Sequence, residues 1–203
     1  PTKTKSLEKE FIIEKGFLNL KNNTPRNLQL NWAKVFEKSL EHNLLIHPRF
    51  IKTLEEKRKI LKKTTDSHQI QSLLNIFISK KNPIQALHDF NDTRLFSEIF
   101  PEFGRVWGQV QFDIYHHYTT DEHLLLTLHN LSELRQKSFY NEIYSRLNYR
   151  EALHLALLFH DIGKKGHKSH SVYGKELTNK ILKRLPVSKE IKELTLWLVE
   201  NHL

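Results

Sequence analysis

Apolar residues recur three or four positions apart along most of the chain, which is the spacing of amphipathic helices. In the first half we expect helices over "LQLNWAKVFEKSL", "FIKTLEEKRKIL", "SHQIQSLLNIFI", "IQALHDF" and "TRLFSEIF". Four polar residues precede such runs and can cap them: Thr24, Asp66, Asn82 and Asp92. Two of these caps are followed by proline, which favours the first helical position. No stretch alternates convincingly as a strand.

The segment "PEFGRVWGQVQFDIYHHY" (101–118) interrupts this pattern. It contains two glycines and five aromatic residues, which predicts an irregular but packed connection. Helices resume at Thr119, which has capping-box spacing to Glu122. Further helices are predicted over about 120–136, 138–147, 150–160, 170–185 and 188–203. The predicted fold class is all-α, with a helical connector over 1–103 packed on a second helical bundle over 104–203.

Composition narrows the class of protein. Hydrophobic residues make up 38% of the 203 positions, which is enough for a packed core. Cysteine is absent, and the apolar runs are shorter than the roughly 20 residues of a membrane span. We therefore expect a cytoplasmic protein that does not enter a membrane. Because the chain starts at Pro1 and has no methionine, we also expect it to be a piece of a longer protein.

The net charge of +9 is unevenly distributed, with +7 of it in residues 1–100, mostly around "EEKRKILKK" (55–63). A basic face can bind nucleic acid, a membrane surface or an acidic partner. No aromatic or glycine motif for nucleic acid accompanies it, so we interpret it as a solvated helix face and expect no specific nucleic-acid partner.

The stretch "LALLFHDIGKKGHKSH" (155–170) places His160 and Asp161 side by side at the end of an apolar helix. A lone histidine there is usually a core residue. Three further histidines, however, lie on or next to apolar runs: His123, His170 and His202. Burying imidazoles singly is costly, whereas a shared metal ion would satisfy all of them. His129 and His154 fall at other helical positions and are interpreted as packing residues.

With an upstream and a downstream histidine on separate helices, "FHDIGK" resembles the HD superfamily of metal-dependent phosphohydrolases. The order of "FPEFGRVWGQVQFDIYHHYTTDEHLLLTLHNL" (100–131), "ALLFHDIGK" (156–164), "SHSVYG" (169–174) and "LWLVENHL" (196–203) resembles, more narrowly, the HD region of bacterial bifunctional uridylyltransferase/uridylyl-removing enzymes. The match over residues 1–99 is weak.

The resemblance implies a role for six residues of this chain. Asp161 and Lys164 are the expected catalytic residues, with Lys164 contacting phosphate and His170 serving as a ligand or a phosphate contact. The implied metal ligands are His123, His160, Asp161, His170 and His202. The implied cofactor is a divalent ion, Mg or Mn first, with Fe, Ni or Zn as alternatives.

The resemblance further implies hydrolysis of the UMP–tyrosine phosphodiester on the nitrogen-regulatory protein PII, with uridylylated PII as partner and UMP as product. The pattern departs from the family in a more basic loop around Lys165 and His167, and the chain ends before the expected closing Asp. It would then be a C-terminally truncated fragment, weak or inactive by itself. Two alternatives stay open: an HD phosphohydrolase acting on a free nucleotide, and a non-catalytic basic helical binding module.

Overall fold

The computed structural model describes residues 5–110, 118–164 and 169–202. His116, which lies seven positions before His123, and the loop residues Lys165 and His167 therefore lie outside the described residues. The chain forms two compact units: the first contains residues 1–76 and 85–99, and the second contains 77–84 and 100–203. Helices dominate both units, which confirms the all-α class. The predicted boundary near Phe103 stays a prediction, although the chain passes from the first unit to the second between Ile99 and Phe100.

A small antiparallel sheet precedes the first helix, so the expectation of no strand is wrong. Its strands run in chain order: β1 (Lys5–Ser6), β2 (Phe11–Glu14) and β3 (Phe17–Leu20). Lys15 and Gly16 join β2 to β3, and both have positive φ (53° and 86°), as a tight hairpin turn requires. Strands of four residues are too short for their alternation to stand out, although Phe11, Leu18 and Leu20 are all buried.

Five helices follow: α1 (Pro25–His42), α2 (Pro48–Thr64), α3 (Ser67–Phe77), α4 (Ile84–Asp92) and α5 (Leu95–Ile99). Three predicted caps are confirmed: Thr24 accepts from the N–H of Asn27, Asp66 from that of His68, and Asn82 from that of Ile84. The Asp92 cap is wrong. Asp92 ends α4, and the Thr93 hydroxyl accepts the N–H of Leu95, because the chain turns one residue later than predicted.

Aromatic side chains build the core of the first unit. Trp32 and Phe36 from α1 contact the ring of Phe90 from α4, with centroids 6.0 and 5.4 Å apart, and Phe96 from α5 stacks on Phe90 at 5.0 Å. All four side chains are 0–1% exposed. This core joins α1, α4 and α5 although α4 is more than 40 residues from the start of α1.

In its described residues the second unit has the short α6 (Pro101–Gly104) and five longer helices: α7 (Thr120–Leu134), α8 (Ser138–Arg146), α9 (Arg150–Phe159), α10 (His170–Leu182) and α11 (Lys189–Glu200). α9 packs against both α7 and α11, and α11 packs against α10. Thr119 is the N-cap of α7 but makes no side-chain capping hydrogen bond, so the capping-box expectation is wrong. The predicted helices otherwise match these bounds to within three residues at each end.

The connection before α7 is only partly packed where the structure describes it, and it begins with the short helix α6. Phe103 and Val106 are buried, whereas Trp107, Val110 and Tyr118 are exposed. The buried Asp121 of α7 accepts the N–H of Gly108 at 3.0 Å. The N–H of Thr120 donates to the carbonyl of Gln109 at 2.9 Å. These bonds hold residues 106–110 against the first turn of α7. Across the described parts of the chain, every helix falls short of the length and apolar character needed to cross a bilayer.

The buried His154 should make stability depend on pH. The Tyr144 hydroxyl is hydrogen-bonded to Nε2 of His154 at 2.9 Å, and burial lowers the pKa of His154 to about 4. A histidine kept neutral in the folded state contributes stability above its ordinary pKa of about 6.5, and this is lost as pH falls toward 4. We expect a loss of about 3 kcal/mol across that window.

The measurement is the free energy of urea unfolding at several pH values between 7 and 4, for the parent chain and His154→Gln. Glutamine retains an acceptor for the Tyr144 hydroxyl but does not titrate. The variant should show a shallower fall in stability, and equal slopes would contradict the assignment of His154 as a buried neutral histidine.

Candidate metal centre

His160 and Asp161 lie where α9 ends. α9 stops at Phe159, and residues 160–164 continue as tight turns. His160 keeps helical φ and ψ (−57° and −37°), so its ring projects from the last turn of the helix while Asp161 turns into the protein. Asp161 is only 4% exposed. The helix thus ends by presenting an imidazole and a buried carboxylate to the same space.

Four histidines from separate parts of the second unit surround this carboxylate. His123 lies in the first turn of α7, His170 begins α10, and His202 follows α11. Their nitrogens form two groups with Asp161, and within each group the candidate ligand atoms lie within 4.8 Å of one another. One group is His123, His160 and Asp161, and the other is Asp161, His170 and His202.

The two carboxylate oxygens of Asp161 face different histidines. Oδ2 lies 3.3 Å from Nε2 of His160 and 3.5 Å from Nε2 of His123. Oδ1 lies 3.5 Å from Nε2 of His202. A carboxylate between two groups of imidazoles has the arrangement needed to bind one ion through both oxygens or to bridge two ions.

Backbone carbonyls orient two of these imidazoles. Nδ1 of His160 lies 2.9 Å from the carbonyl of Leu157, and Nδ1 of His202 lies 2.7 Å from that of Val199. Because each Nδ1 must carry a hydrogen to donate to a carbonyl, the neutral ring presents an unprotonated Nε2. Metal-binding histidines are commonly fixed in this way by the other ring nitrogen. Sequence reasoning missed these carbonyls, although each lies three residues before its histidine.

The cluster also brings imidazole nitrogens of different helices close together. Nε2 of His123 and Nε2 of His160 are 3.2 Å apart, so both are placed to reach one cation. Nε2 of His170 and Nε2 of His202 are buried and, among the described residues, lack a hydrogen-bond partner. Buried polar atoms without partners are unusual in folded proteins. A divalent ion would satisfy these lone pairs, so the cluster could bind a metal.

Lys164 lies one turn beyond Asp161, with Nζ 2.7 Å from Oδ2. Burial raises the pKa of the Asp161 carboxyl, but the neighbouring His160 imidazole and the Lys164 ammonium, which donates to Oδ2, outweigh this effect and hold that pKa well below its usual range. Asp161 is therefore ionised at neutral pH, as a metal ligand must be.

Two further histidines that the structure describes in the second unit lie apart from the cluster. His129 Nδ1 pairs with the side-chain amide of Asn82 at 2.7 Å, and His154 pairs with Tyr144. Both belong to neither group of candidate ligands in the described chain. Their six-residue offsets from His123 and His160 place them on other helix faces, because six residues are not a whole number of helical turns.

Comparison with known proteins agrees with this location. The family model described as HD domain matches residues 120–203, which contain all four histidines and Asp161. An HD domain is an all-α fold, as the second unit is.

Curated relatives match nearly the whole chain. Bifunctional uridylyltransferase/uridylyl-removing enzymes from Rhodospirillum rubrum, Zymomonas mobilis and Ruegeria pomeroyi are 31%, 30% and 31% identical over 202, 177 and 183 residues. These matches cover 96%, 83% and 86% of this chain but only 22%, 19% and 20% of the relatives. The chain thus spans about a fifth of their length, and the similarity extends into the N-terminal half. Residues 120–203 belong to the HD-domain family, and the chain as a whole is similar to a region of bifunctional uridylyltransferase/uridylyl-removing enzymes.

Proposed function

We propose that the cluster around Asp161 is a metal-dependent hydrolytic site that removes UMP from a tyrosine of uridylylated PII. The observation that carries the proposal is the convergence of four imidazoles on one buried, ionised carboxylate. The names of the relatives support the reaction, because each includes a uridylyl-removing activity. The proposed cellular setting is the cytoplasm, and the proposed domain division is a connector over 1–103 followed by the HD domain.

Five residues would hold the metal: His123, His160, Asp161, His170 and His202. A set of imidazoles with one carboxylate accepts Mn, Fe, Ni or Zn, and Mg when water supplies further oxygen ligands. We propose Mg or Mn first, because phosphate esters supply the oxygen ligands that these ions prefer. When bound, such an ion lowers the pKa of a coordinated water and neutralises charge on the phosphate.

Asp161 and Lys164 have different roles in the proposed hydrolysis. A water oxygen bonds to phosphorus, the bond from phosphorus to the tyrosine oxygen breaks, and the phenolate gains the proton that the water loses. Asp161 stays ionised, so it orients the water and the ligands and does not act as the proton store. Lys164 has three N–H donors, and its bond to Asp161 places Nζ where it can also donate to a phosphate oxygen. The phenolate needs little acid assistance, because a phenol ionises near pH 10.

The full-length protein that contains this sequence should release UMP from uridylylated PII when Mg or Mn is present. Asp161→Asn should lower the rate at least about 100-fold, because it removes the charge of a metal ligand. In metal sites generally, changing a residue that only supports a ligand already lowers metal affinity or activity 10–100-fold. Chromatography of UMP after a timed reaction measures this loss. Asp89→Asn, a carboxylate of the first unit, is the matched control and should retain the parent rate.

Two results would redirect the proposal. Metal-dependent hydrolysis of free nucleotides with no release from PII would favour a nucleotide phosphohydrolase. A protein that binds metal but hydrolyses neither substrate would favour a non-catalytic binding module.

A further inference from the structure

A cavity of about 390 Å³ opens beside the histidines of the second unit. His123, His160 and His202 form part of its wall. The rest is largely aliphatic and comes from α9 and α11: Leu153, Ala156, Leu157 and Leu198. An apolar cavity of ~150 Å³ is enough to hold benzene. The cavity therefore has room for an aromatic ring next to the candidate metal ligands.

Most polar groups in the wall of this cavity already form hydrogen bonds with backbone carbonyls of the protein. The Thr127 hydroxyl lies 2.7 Å from the carbonyl of Leu124 and 3.0 Å from that of Leu157, so its one hydrogen is used. The side-chain amide of Asn201, which is exposed, donates to the carbonyl of Trp197 at 2.8 Å. The Nδ1 hydrogens of His160 and His202 also go to backbone carbonyls. The described wall thus offers a ligand few hydrogen-bond donors.

The proposed substrate carries two different groups on its phosphate, a uridine and a phenyl ring. Uracil has two carbonyl acceptors, and burying them without donors costs free energy. A phenyl ring gains from apolar burial and has no such requirement. From this difference we infer that the cavity receives the tyrosine ring and that the uridine lies outside it. This inference rests on the proposed function, and it makes the site selective for aryl phosphodiesters.

Binding can be tested without hydrolysis. Phenylphosphonate and methylphosphonate carry the same anionic group but differ in the ring. Calorimetry on the 203-residue chain with Mn²⁺ should show phenylphosphonate binding about ten-fold more tightly. Leu198→Asn places an amide in the wall and should abolish most of that difference. Leu194→Asn is the matched control, because Leu194 is also half-buried on α11 but does not line the cavity.

Hydrolysis identifies which half of the diester occupies the cavity. The p-nitrophenyl ester of UMP and methyl p-nitrophenyl phosphate share a leaving group, but only the first has a uridine. If the ring occupies the cavity, Leu198→Asn lowers kcat/KM about ten-fold for both compounds. If uracil occupies it, the variant affects the UMP ester alone, which would overturn the inference.

The two proposals can fail separately. A full-length protein that prefers phenylphosphonate but hydrolyses neither diester retains the aryl cavity and loses the proposed function. A chain that hydrolyses both diesters yet binds the two phosphonates equally retains the function and loses the aryl cavity. If Leu198→Asn kept the parent chain's preference for phenylphosphonate over methylphosphonate, this result would also overturn the cavity assignment.

Discussion

Replacing His160 and Asp161 together by alanine should remove divalent metal from the protein. The two groups of candidate ligands share Asp161, and His160 approaches both Asp161 and His123 within 3.5 Å. The double substitution therefore takes ligands from both groups. Changes to outer-shell partners alone lower metal affinity 10–100-fold, so the loss of two direct ligands should exceed about 100-fold.

Elemental analysis after dialysis, followed by titration with Mn²⁺, measures this loss. The matched control is His129→Ala with Glu133→Ala, which removes one imidazole and one carboxylate from α7 outside the cluster. The control should bind metal like the parent chain. Equal metal content in the His160 and Asp161 double variant would disprove the assignment of these side chains as ligands.

Gly163→Ala should destabilise the second unit strongly. A Cβ at Gly163 would lie 2.1 Å from the carbonyl oxygen of His170 and 2.4 Å from the backbone nitrogen of Gly174. Both atoms belong to the backbone of α10 and cannot rotate away, so the helix itself must move. Overpacking typically costs 1–3 kcal/mol, and we expect about 3 kcal/mol here. The displacement of His170 should also weaken metal binding.

Gly174→Ala is the matched control, because it adds the same methyl group to the other side of the same contact. Its Cβ would lie 3.4 Å from the carbonyl of His160, which is an ordinary contact distance. Alanine also favours a helix interior by about 1 kcal/mol over glycine. Urea unfolding should therefore show Gly174→Ala close to or above the parent stability. A Gly163→Ala chain as stable as Gly174→Ala would contradict the close approach of α10.

The N-terminal hairpin shows where sequence reasoning failed. Many periodic apolar positions predict a helix, and caps such as Thr24 and Asp66 predict where it begins. A strand of four residues has only two positions on each face, and the hairpin of β2 and β3 turns on a Lys15-Gly16 pair that carries no strong turn signal. Pairing between neighbouring strands therefore decided this structure, and the local pattern did not.

The candidate site was partly accessible from the sequence. Burying single imidazoles on or next to apolar helices is costly, and this alone singles out His123, His160, His170 and His202 in the sequence. Their role as ligands stays a prediction. The distances between them, the separate orientation of the two Asp161 oxygens and the carbonyls that orient His160 and His202 required the packed helices.

The sequence by itself determined the helical class, most helix boundaries and the residue types available for chemistry, because these depend on periodicity and on caps that act within a few residues. Only the tertiary structure decided that α7, α9, α10 and α11 bring His123 and His202 to one carboxylate, although those histidines are 79 positions apart in the chain. It also decided why residue 163 is glycine: φ there is not positive, and the backbone of α10 leaves no space for a Cβ. Long-range packing sets both features, and no local pattern encodes how close two distant backbones come.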